Sequence, residues 1–102
     1  MPQPPPKPGK QLVFPTLKEF VEKTCDTEIL DLIIERKKDG EAKYGVGLES
    51  FNGRDCVQDF EEELLDAFFY LTQAELEGKT FKDLSRGRRM LELLLVIVDS
   101  VE

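Results

Sequence analysis

Apolar positions along the chain recur every three or four residues, and no stretch alternates with period two, so the pattern predicts helices and no sheet. The clearest stretch is residues 59–70. Its carboxylates fall at 59, 61, 62, 63 and 66, and its apolar residues fill 60, 64, 65, 67, 68 and 69. At about 100° per residue, Asp59, Glu63, Asp66 and Tyr70 lie within roughly 60° of one another on a helix, with Glu62 flanking the line. Around this element the other boundaries follow from start and stop signals. Thr16 with Glu19 makes a capping box, Phe20 is set to staple back on Phe14 or Pro15, and a short helix over residues 17–23 is expected. Asp26-Thr27 opens a second helix carrying Ile29, Leu30, Ile33 and Ile34. It either ends at Gly40 or runs on to Gly45, and the longer reading is preferred, because an internal glycine costs only about 1 kcal/mol. Residues 44–54 hold three of the seven glycines and the Asn52-Gly53 turn dipeptide, and read as a loop. Asp55 with Gln58 opens the long helix over residues 56–77, closed by Gly78. Thr80 with Asp83 opens a last helix through Val101.

The expected fold is therefore all-α: three main helices plus a short N-terminal one, forming a helical bundle completed by oligomerisation. The last helix, apolar on more than one side over residues 91–98, carries more apolar surface than one packing stripe requires. Residues 1–10 contain five prolines, so residues 1–13 are expected to be a flexible proline-rich arm. Residues 14–102 are expected to form a single domain.

Charge and composition then narrow the chemistry. The net charge is −7 with no histidine among 102 residues. That argues against non-specific nucleic-acid binding and removes histidine-based zinc sites and triads. Cys25 and Cys56 read as reduced thiols of a cytoplasmic protein. The N-terminus has no signal-peptide pattern, and the longest apolar run, residues 93–98, is too short to span a bilayer. Within this acidic balance the long helix stands out, because no Lys or Arg occurs between Asp55 and Glu77. Like charges three and four apart repel by a few tenths of a kcal/mol per pair, so such a stripe points to a cation supplied from outside. Asp31, Glu35 and Asp39, spaced by four, form a second ladder on the preceding helix. Facing ladders of hard oxygen donors select Mg²⁺ or Mn²⁺, while Lys43, Arg54, Lys37 and Lys38 are available to phosphate oxygens. A solvated acidic face is the plain alternative.

The run Glu63-Leu64-Leu65-Asp66, followed by the apolar Ala67-Phe68-Phe69-Tyr70-Leu71, resembles the Glu-x-x-Asp half of the MazG-like all-α nucleotide pyrophosphohydrolases. Lys43-Tyr44-Gly45, Asn52-Gly53-Arg54-Asp55 and Asp59 also resemble small phage and mobile-element proteins of that type. The likeness covers about residues 28–77. The family's Glu-Glu-x-x-Glu element does not occur; the nearest equivalents are Asp31-x-x-x-Glu35 and Glu35-x-x-x-Asp39. The resemblance implies Mg²⁺-dependent hydrolysis of nucleoside triphosphates to monophosphate and pyrophosphate by a cytoplasmic homodimer or homotetramer, acting in nucleotide clearance. It implies Glu63, Asp66 and Glu35 as metal ligands, with Asp39 or Asp31 the fourth, and Glu62 as the base for the attacking water. Lys43, Asn52, Arg54 and Tyr70 would meet the substrate, although a helix-packing tyrosine is the commoner role for a residue placed like Tyr70. The alternative is a non-enzymatic, homo-oligomeric helical module with an acidic docking face. Neither reading involves nucleic acid or a membrane.

Overall fold

The computed structural model describes residues 2–79 and 84–101, and these contain four α-helices: α1 (Phe14–Thr24), α2 (Thr27–Tyr44), α3 (Cys56–Leu76) and α4 (Leu84–Val98). The only bridge between extended segments is an isolated antiparallel one, Leu12 with Glu49, among the described residues. The chain divides into two compact units, residues 1–54 and 55–102.

In the first unit α1 packs on α2, and Val21 of α1 is buried. Lys37 of α2 places its ammonium 4.7 Å from the centre of the Phe14 ring and pairs with Glu41 at 2.9 Å. Its apolar stem thus covers the seam while its charge stays satisfied. The α1 start differs from the expected capping box. The helix begins at Phe14 with Pro15 in its first turn, where a missing N–H costs nothing. Thr16 is therefore inside the helix, and Glu19 pairs with Lys23 at 2.8 Å instead of capping. Helix α2 does run through Gly40 to Tyr44. Its cap, Gly45, sits at φ 82° and returns its N–H to Glu41 O at 2.7 Å. That left-handed conformation is open to glycine at no steric cost.

The proline-rich arm lies along the loop between the helices. Lys7 N donates to Asn52 O, Lys10 N to Ser50 O, Ser50 N to Gln11 O and Val13 N to Leu48 O, all at 2.8–2.9 Å. Gly9 is the point of closest approach. A Cβ there would stand 2.1 Å from Ser50 O and 2.8 Å from Glu49 Cβ. Lys10 caps the run with its ammonium 4.9 Å from the centre of the exposed Phe51 ring.

In the second unit α3 packs on α4, burying Leu64 and Val98. Asp55 caps α3 through its Oδ1, which accepts from Val57 N at 3.0 Å and Gln58 N at 3.2 Å. The helix closes at Leu76, followed by Gly78 at φ 78°. Arg88 of α4 pairs with Glu75 of α3. The expected start of the last helix, Thr80 with Asp83, lies outside the described residues, and α4 ends at Val98, short of Val101. No helix is long and apolar enough to cross a membrane, among the described residues.

Candidate functional site: the acidic face of α3

Helix α3 is fixed at its start by the Asp55 cap and along its length by the Leu64 side packed on α4. With Leu64 held inward, the residues about 100° and 160° away round the helix must face outward. Glu63 and Asp66 are such residues, both exposed. Among the described residues no ion pair is recorded for either, and α3 has no cation in its own sequence. Glu62 is exposed and accepts a hydrogen bond at 3.0 Å from Gln58 Nε2, one turn earlier. This bond holds one carboxylate oxygen of Glu62. Tyr70, one turn beyond Asp66, is also exposed, so it does not serve as the helix-packing tyrosine that its position suggests most often.

The other expected residues fall in the first unit, where the structure gives several of them local partners. Glu35 lies 3.8 Å from Lys38 Nζ, and Asp39 lies 4.0 Å from Arg36 Nη1, both within α2. Two of the three carboxylates of the α2 ladder thus have cations beside them on their own helix. Asp31 is exposed on the same helix. Lys43 holds its ammonium 5.2 Å from the Tyr44 ring centre. Asn52 Oδ1 accepts from Arg54 N at 3.2 Å, a side-chain turn of the kind asparagine favours before glycine. Arg54 Nη1 donates to Pro4 O at 2.7 Å. Asn52 and Arg54 therefore hold the loop and the arm in this structure.

Two features went unread in the sequence. The first is the pairing of Lys38 with Glu35 and of Arg36 with Asp39, at the three-residue spacing of helical ion pairs. The second is Gly9, whose lack of a side chain lets the arm close on Ser50. Among the described residues no three Asp, Glu or Cys side chains gather as a metal-holding group. The groove lined by Leu12, Val13, Leu17 and Phe20 on the first unit includes none of the candidate carboxylates. No protein family, curated protein or solved structure matches the chain.

Proposed function

We propose that the chain is a Mg²⁺-dependent nucleoside triphosphate pyrophosphohydrolase whose acidic centre is the Glu62–Glu63–Asp66 face of α3. The observation that carries this reading is the pair Glu63 and Asp66: adjacent on one helix face, exposed, forming no ion pair among the described residues, on a helix with no Lys or Arg of its own. Mg²⁺ keeps several waters and is commonly held by one or two carboxylates plus substrate phosphates rather than by a full protein cage. Two hard-oxygen donors one turn apart fit that habit. Bound there, the ion would supply charge neutralisation at the phosphates and acidify a water.

The protein's own contributions follow from side-chain chemistry. Glu63 and Asp66 bring negative charge that draws the cation and fixes its position on a rigid helix. Glu62, steadied by Gln58, takes the proton from the attacking water. The water oxygen bonds to the α-phosphorus, the bond from that phosphorus to the bridging oxygen breaks, and pyrophosphate leaves with the electron pair. Tyr70 offers an exposed ring for stacking on a base. The test is incubation with each nucleoside triphosphate and Mg²⁺, with detection of pyrophosphate. Release that stops on chelation supports the reading, and no release with any of the four bases refutes it.

A second reading has its own observation. Glu62, Glu63 and Asp66 are all exposed along one helix, which is how an acidic docking face for a basic protein partner is presented. On that reading basic peptides bind, binding weakens steeply with salt, and no triphosphate is turned over.

A further inference from the structure

We infer that the proline-rich arm is a docking ligand for a different protein, one that reads extended proline runs with an aromatic groove edged by carboxylates. Residues 2–8 run Pro-Gln-Pro-Pro-Pro-Lys-Pro. Each proline ring fixes φ near −65°, and each residue ahead of a proline is driven to extended ψ. Gln3, Pro4, Pro5 and Lys7 all stand ahead of one, so the segment is set for a polyproline II helix with three residues per turn. The contacts of the arm carry that period. Pro4 O accepts from Arg54 Nη1 at 2.7 Å, and Lys7 N and Lys10 N donate to Asn52 O and Ser50 O, both at 2.9 Å. The arm thus meets the loop at residues 4, 7 and 10, every third position, where a strand would repeat at every second.

Three residues per turn divide such a helix into three ridges. Gln3 and Gly9 are half-buried, six residues and so two turns apart, and every other residue from Pro2 to Lys10 is exposed. The loop therefore covers the ridge through Gln3 and Gly9, and Glu49 accepts from Gly9 N on that side at 3.5 Å. The ridges through Pro2, Pro5 and Pro8 and through Pro4 and Lys7 stay open. A groove takes two ridges of a helix that is triangular in section, so the covered one is the ridge that a reader does not need. Pro2 and Pro5 offer their rings to aromatic side chains, and Lys7, two residues on, offers a cation. Its stem is laid across Gly53, with the side-chain carbons 3.0–3.2 Å from the place a Cβ would take there. Residues 1–18 hold three lysines and no Asp or Glu in a chain of net charge −7, so this end suits an acidic groove. A ligand already ordered along its own loop gives up less freedom on binding. Pro2, Pro5 and Lys7 are not residues of the proposed hydrolase centre.

Binding of the full chain to an array of purified SH3 domains, chosen as those that take Pro-x-x-Pro-x-Arg peptides, tests the inference. At least one should bind saturably, with Lys7→Arg equal to wild type, while Pro5→Ala and Lys7→Glu each weaken binding about tenfold or more. Pro6→Ala, on the covered ridge, and Lys10→Glu, past the motif, should stay within about twofold of wild type. Amide exchange at Lys7 and Lys10, slowed by their bonds to the loop, should stay slow in the saturated complex. Absence of binding across the array overturns the inference. So do equal losses in Lys7→Glu and Lys10→Glu, which indicate bulk charge attraction, and exchange that quickens on binding, which shows the arm leaving its loop. None of these readouts depends on turnover, so failure here leaves the hydrolase reading to its own assay.

Discussion

Leu64 and Leu65 are consecutive leucines on α3, yet one is 6% exposed and the other 43%. Truncating each to alanine removes the same atoms from two different environments. At Leu64 the loss is the transfer free energy plus a cavity term, and leucine-to-alanine changes in cores cost about 2–5 kcal/mol. The α3–α4 pair has only Leu64 and Val98 fully inside among its described residues, so neighbours and water can partly refill the space. That moves the expectation to the low end, about 2–3 kcal/mol. At Leu65 nearly half of the side chain is already in water and no closed cavity forms, so about 1 kcal/mol is expected. At roughly 4–8 °C per kcal/mol for a domain of this size, the melting temperatures should fall by about 10–20 °C and about 5 °C. Urea unfolding followed by circular dichroism at 222 nm gives both values directly. Equal losses, or a greater loss at Leu65, would show that α3 does not turn its Leu64 side to α4.

Three further outcomes follow from the same geometry. Gly9→Ala should push the arm off Ser50 and cost about 1–3 kcal/mol by overpacking, read as faster amide exchange at Lys10 and Ser50. Unchanged exchange there means the arm is not held along the loop in solution. Asp55→Ala removes two hydrogen bonds at the start of α3 and should cost about 1 kcal/mol, whereas Asp55→Asn should recover most of it in the same urea titration. Mg²⁺ at about a hundred times its dissociation constant should stabilise the fold by about 2.7 kcal/mol. The shift should vanish in Glu63→Gln, and no shift in wild type counts against a metal site on α3.

The features that proved readable in the sequence are those set within a few residues. Gly45 ended α2 and Asp55 opened α3 because cap chemistry is local. The α3 stripe was visible because helical period alone decides which residues share a face. The start of α1 was not, since Val13 N is engaged by Leu48 O, a partner from a distant part of the chain. The arm's attachment is of the same kind: its prolines signal an extended backbone, but not which loop it lies along. On α2 the local signal was also present: Lys38 and Arg36 stand beside Glu35 and Asp39 at the three-residue spacing of helical ion pairs. Tyr70 illustrates the limit of position-based odds, because its side of α3 faces solvent, not α4.

Pyrophosphate release from nucleoside triphosphates by three variants tests the hydrolase reading most directly. Glu63→Gln and Asp66→Asn keep side-chain shape and remove charge from exposed positions, so folding should persist and repulsion along the stripe should ease slightly. Glu22→Gln, on the other unit and paired with Lys18 at 3.4 Å, serves as the comparison. Loss of turnover by orders of magnitude in the two α3 variants, with near wild-type rates in Glu22→Gln and native circular dichroism in all three, is the expected result. Turnover that survives in both Glu63→Gln and Asp66→Asn would contradict the assignment of the α3 face as the metal centre.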